Sequence, residues 1–245
     1  MTDTQKQKAP LLRKARWYND RNRTYKACRC YLQVIQQDPD ALEAIEEISL
    51  LYYDRGDFEI AAICFEYLLL IYGVRQDILV RLAHCRFQES SFSEAKLVLS
   101  QPLDWDPLYH EERLLTLSQC ELQLGEPLNA LELLRDLNSS SPSPLYYLLQ
   151  GEILESLSLH TAAIEVCRKG LQRDPYFDDL LVLKARLHLH LTEFEKARRI
   201  YLKMIQNHLF LGEARLDLEE YLAIHGPISE IYEILDYFDD TLDFE

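Results

Sequence analysis

Apolar residues recur along the chain in short segments with helical spacing, broken by polar clusters, Pro and Gly rather than by alternating strand-like stretches. This pattern predicts paired helices near 8–20/23–37, 42–54/58–71, 76–88/92–100, 111–124/127–137, 145–156/160–172, 178–190/194–207 and 212–223/228–238. No stretch reaches 18 consecutive apolar residues, so no membrane-spanning helix is expected. The first ten residues are polar and lack the apolar core of a secretion signal.

The pattern also repeats. Ala27, Ala61, Ala95, Ala130, Ala163 and Ala197 are separated by 34, 34, 35, 33 and 34 residues. Four positions after each alanine stands Tyr31, Phe65, Leu99, Leu134, Cys167 or Tyr201. Twelve positions before stands a small residue: Ala15, Ser49, Ala83, Ser118, Gly151 or Ala185. Twelve positions after stands Pro39, Gly73, Pro107, Pro142, Pro175 or Leu209. Small residues on two antiparallel helices let the backbones approach, a larger side chain one turn on fills the adjoining groove, and Pro or Gly ends the second helix. Gly56 and Gly125 fall where the turn inside a pair is needed. One helix pair cannot bury both faces, so pairs must stack.

These residues resemble the tetratricopeptide repeat (TPR) superfamily. The resemblance covers six repeats near 8–41, 42–75, 76–110, 111–143, 144–177 and 178–211, with a capping helix pair at 212–238 and an acidic tail at 239–245. The second repeat fits best, with Ile45, Ile48, Ser49, Tyr52, Gly56, Phe58, Ala61 and Phe65 in the family slots. The family's Trp at the fourth repeat position is replaced by Leu11, Ile45, Leu79, Leu114, Tyr147 and Leu181. The resemblance implies an all-α, right-handed superhelical solenoid, read here as one domain, with a concave face lined by the first helix of each pair. It further implies that the groove is lined by Leu12, Arg16 and Asn19; Glu43, Glu46, Leu50 and Tyr53; Val80, His84, Phe87 and Gln88; Leu115, Gln119 and Leu122; Leu148, Glu152 and Glu155; and Val182, Arg186, Leu189 and His190. Its centre, from Leu50 to Leu122, is apolar. Tyr53 and Phe87 share a slot in adjacent repeats and are expected to be neighbours, suiting a helical or extended partner segment. Glu43, Glu46, Glu152 and Glu155 would favour basic flanks on that partner. The family's clamp for chaperone C-terminal carboxylates is absent: Leu12, Arg16, Glu47, Asp77 and Arg81 stand where it needs Lys, Asn, Asn, Lys and Arg.

Three places depart from the repeat. Pro102 shortens the second helix of the third repeat to about Ser100, leaving a loop with Trp105, which is expected to fold back and cap that helix rather than stand out as an anchor. The Ser/Pro-rich stretch 138–144 is a candidate hinge. In the capping pair Ile231 replaces the alanine, and the last residues mix acids with Tyr237, Phe238, Leu242 and Phe244, reading either as a frayed tail or as a short docking motif.

Composition adds limits. Of 245 residues, 26 are Lys or Arg and 41 Asp or Glu, a formal net charge of −15, which disfavours binding to phosphate backbones. Positive charge gathers in residues 1–30 and negative charge in 228–245, so the ends could attract within one molecule or between two. The cysteines (Cys28, Cys30, Cys64, Cys85, Cys120 and Cys167) form no CxxC pair and read as reduced core thiols of a reducing compartment. No phosphate-binding loop, HExxH or nucleophile turn occurs, and His188 and His190 diverge on a helix. The sequence therefore points to a non-catalytic, cofactor-free cytoplasmic scaffold or adaptor that binds another protein. A dedicated secretion-type chaperone and a subunit that self-assembles through its basic head and acidic tail are the competing readings.

Overall fold

A computed structural model describes residues 3–137, 142–207 and 211–242, and among them every regular element is helical. Contacts divide the chain into two compact units, Met1–Leu124 and Gly125–Glu245. The first holds α1 (Asp3–Asn19), α2 (Thr24–Gln37), α3 (Leu42–Asp54), α4 (Phe58–Tyr72), α5 (Gln76–Gln88), α6 (Phe92–Leu99) and α7 (Pro107–Gln123). The second holds α8 (Pro127–Asp136), α9 (Pro144–Ser156), α10 (His160–Arg173), α11 (Asp178–His190), α12 (Phe194–Gln206), α13 (Leu211–His225) and α14 (Ser229–Leu242). The boundary between units falls in the α7–α8 turn rather than at the Ser/Pro-rich stretch.

Within each unit, consecutive helices pack as an α-solenoid. In the first unit α5 touches α7 as well as α4 and α6; in the second α11 touches α9 and α13 as well as α10 and α12. First helices of successive pairs therefore adjoin. All six repeat alanines are fully buried, as are Ala15, Ser49, Ala83, Ser118 and Ala185. The side chains four residues after the alanines, Tyr31 to Tyr201, are buried with them. At Gly151 a Cβ would meet Leu183 Cδ2 at 2.7 Å, so an alanine in this slot would require that leucine methyl to shift.

The turn inside each pair puts one residue in the left-handed region. Asn22, Gly56, Ser90, Gly125, Ser158, Thr192 and Gly226 each have positive φ, between 53° and 85°. Each lies five residues before the repeat alanine or, in the last pair, before Ile231. At Gly56 the amide donates to the Tyr53 carbonyl and the next amide, of Asp57, to the Tyr52 carbonyl. This doubled bond closes a helix C-terminus on a left-handed residue. The same pair of bonds recurs at Asn22, Ser90, Ser158 and Thr192.

Helix ends follow the sequence closely, with three differences. α14 runs on to Leu242 rather than 238, so 239–242 of the expected acidic tail are helical. α1 begins at Asp3, which puts Pro10 inside it. α7 begins at Pro107, not 111, because the Asp106 carboxylate accepts from the Leu108 amide at 2.8 Å and Pro107 takes the first helical position. The predicted shortening of α6 is present. Arg113 of α7 donates from Nε to the Leu99 carbonyl at 2.8 Å, satisfying the truncated helix end. Trp105 folds back beside it, its indole N–H donating to the Gln101 carbonyl at 3.4 Å and its ring lying 4.9 Å from the Arg113 guanidinium. Gln76 pins the same loop, donating to the Asp104 carbonyl at 2.7 Å and accepting from the Asp106 amide at 2.8 Å. Leu209, residues 138–141 of the candidate hinge and residues 243–245 of the acidic tail lie outside the described residues.

Candidate partner-binding site

In the first unit the expected lining comes from α1, α3, α5 and α7. Leu12, Leu50, Tyr53, His84, Phe87, Gln119 and Leu122 are half-buried, with part of each side chain open to solvent. Val80 and Leu115 are instead buried, because α5 and α7 are each flanked by several helices. In the second unit Leu148 is half-buried, whereas Val182 and Leu189 are buried in the packing of α11. These four buried residues give no surface to a partner.

The aromatic centre is built differently from the expected Tyr53–Phe87 pair. Tyr53 lies 6.0 Å from Phe58, 6.1 Å from Phe65 and 5.3 Å from His84, ring centre to ring centre. Phe87 instead lies 5.2 Å from Phe92. Tyr53–Phe58 and Phe87–Phe92 are the same pair one repeat apart: an aromatic late in the first helix meets the one that opens the second. The tight left-handed turn brings them together, and this draws each ring to its own repeat. His84 fills the space between repeats, 5.6 Å from Phe58. Its Nδ1 is buried with no hydrogen-bond partner, and burial lowers its pKa, so the ring is neutral at neutral pH. Burial likewise pushes the Tyr53 hydroxyl up to about 12.

The charged residues of this layer are paired within the chain. Arg16 is held by Glu43 and Glu47 of α3. Arg75 bonds Glu46 at 3.0 Å and Asp77 at 2.7 Å. Arg186 bonds Glu155 at 2.8 Å, and His190 Nε2 lies 3.5 Å from the same carboxylate. The expectation of acids open to a basic partner missed these pairings. A usable signal was present: Arg16/Glu47 and Glu155/Arg186 are both opposite charges 31 residues apart, one repeat less one helical turn. Glu152 differs. Burial raises its pKa to about 7 despite the nearby Arg186.

Beside the Trp105 loop an open cavity of about 480 Å³ is lined by Arg75, Asp77, Asp104, Trp105 and Tyr109. Its cation is already paired and its tryptophan serves the helix end. Among the described residues, no cluster of three or more His, Cys, Asp or Glu could hold a metal ion, and no helix is long and apolar enough to cross a membrane. The cysteines are free. Cys28, Cys30, Cys85, Cys120 and Cys167 are buried, Cys64 half-buried, and burial pushes the Cys85 and Cys167 thiols up to about 12.

An all-helical stack of repeated pairs, with a layer of half-open side chains on its first helices, defines a repeat protein of the kind that presents a surface to other proteins. Comparison with known sequences narrows the class. Residues 11–41 and 145–177 match tetratricopeptide repeat families. Together with the fold, these two matches support a tetratricopeptide-repeat protein, subfamily unspecified. No curated protein matches its sequence. A tetratricopeptide repeat protein from Parabacteroides merdae has the same fold, with TM-score 0.71 and 14% identity over 94% of this chain and 98% of that one. Pseudomonas aeruginosa pilF aligns with TM-score 0.63 and 18% identity, over 91% of this chain and 99% of its own. A thermophilic TPR protein of Thermus thermophilus aligns with TM-score 0.62 and 19% identity, over 75% of this chain and 100% of its own.

Proposed function

We propose that this protein is a non-catalytic, cytoplasmic adaptor that holds a helical or extended segment of another protein against its first helices. The observation that carries the reading is the half-open aromatic cluster of Tyr53, Phe58 and His84 beside Leu50 and Phe87. Preformed aromatic side chains with one face open lose little conformational freedom on binding and supply large contact area. The internal pairing of Arg16, Glu46 and Glu155 supports recognition through apolar shape rather than charge. Self-assembly of the basic head on an acidic tail is less favoured, because Arg16 is engaged by two glutamates and Arg21 lies 4.1 Å above the Trp17 ring.

The test begins with affinity capture of a partner and titration calorimetry against its purified form. Tyr53→Ala with Phe87→Ala is expected to weaken binding by at least about tenfold, roughly 1.4 kcal/mol, with helical circular dichroism retained. An affinity equal to that of the unaltered chain would dismiss the groove as the docking site.

A further inference from the structure

The helix α4 is apolar on two opposite faces. One face, Ala61, Ala62, Phe65 and Leu68, is buried in the core of the first unit. The other carries the exposed Ile60, Ile63, Leu70 and Ile71, followed by Val74 just past the helix, with Tyr67 half-buried between them and also touching the core; Ile63 is 59% and Leu70 78% exposed. At 3.6 residues per turn these six positions fall within an arc of about 100°. Their spacing of three and four is that of a coiled-coil seam. Two other repeats make the equivalent slots polar: where α4 has Ile63 and Leu70, α2 has Arg29 and Gln36 and α10 has Glu165 and Gln172, all exposed; α6 has the exposed Leu97 at the first slot but Asp104, past its end, at the second.

We propose that this outer face of α4 is a self-association surface, covered by α4 of a second copy. Crossing antiparallel about a two-fold axis at Tyr67 sets residues equidistant from it against each other. Ile60 then meets Val74, Ile63 meets Ile71, and Cys64 meets Leu70, so each apolar position finds an apolar partner. That is the self-complementarity a two-fold contact requires. The exposed parts of these side chains amount to on the order of 600 Å² per copy, at the upper limit of what a single soluble chain leaves open. This approaches the roughly 800 Å² per partner of a standard interface. Charge does not oppose the contact: of the two glutamates along its edge, Glu66 is paired with Arg86, leaving Glu59 at the end. The formal charge of −15 weighs against an anionic lipid surface as the occupant.

Sedimentation velocity of the full chain over a concentration series, at low and high salt, tests the proposal. The unaltered chain is expected to form dimers that salt leaves intact or strengthens. Ile63→Asp with Leu70→Asp, and Leu70→Asp alone as the milder variant, are expected to raise the dimer dissociation constant by at least about tenfold with unchanged helical circular dichroism. A chain that is monomeric throughout, a dimer indifferent to both variants, or one dissolved by salt would overturn it. So would flotation with phosphatidylcholine vesicles that the variants abolish, since that assigns the face to lipid.

Discussion

Thr192 occupies the left-handed region with φ 57°, a conformation that a β-branched side chain reaches only at a cost of about 1–2 kcal/mol. Its neighbours hold it there. Its amide bonds the Leu189 carbonyl, the Glu193 amide bonds the His188 carbonyl, and the Glu193 carboxylate bonds His188 Nδ1 at 2.7 Å and Lys196. Thr192→Gly removes the strain while giving the unfolded chain more freedom, so a net gain of about 0.5–1 kcal/mol is expected in chemical denaturation. Glu152 makes the opposite kind of test. Its native pKa, raised from 4.5 to about 7, means the folded chain holds a proton the unfolded chain has released across that window. Stability contributed by this group is thus full at acidic pH and falls as pH rises through the window. Glu152→Gln should flatten that slope in a pH series of denaturation midpoints and stabilise the chain above pH 7 by about 1–2 kcal/mol.

At the scale of the helix pair, stability rests on closeness of backbones. Ala61 is fully buried in the α4 core with Ile45, Phe65 and Ile78. Ala61→Arg forces a long cation into that contact, and a loss of about 3 kcal/mol or more is expected, visible as a large fall in melting temperature. The repeat was legible at this scale because size and spacing alone dictate it: small residues, a filling side chain, then Pro or Gly. The recurrent left-handed turn was read only at its glycines. Asn22 is a residue type that favours positive φ, but Ser90, Ser158 and Thr192 give no local sign of it, since the doubled turn bonds and the packing of the pair, rather than a missing Cβ, impose it. Likewise the start of α7 was hidden because Pro107 both follows one helix and opens the next.

Across the molecule, each compact unit has its own buried clusters, around Phe65 in the first and Tyr201 in the second. The candidate site was partly legible: periodicity set Tyr53, His84 and Phe87 on first helices, where all three are half-buried and in ring contacts. It could not foresee that α5 and α11, flanked on several sides, would bury Val80 and Val182, nor which ring each aromatic would choose. The ionic pairs of Arg16, Arg75 and Arg186 have a consequence for whatever docks on the first helices. An incoming lysine or arginine must displace a resident guanidinium from its carboxylate, so ionic exchange yields almost no net gain. Affinity should then vary little with ionic strength, and natural ligands should be distinguished by how their nonpolar contours fill the gaps around His84.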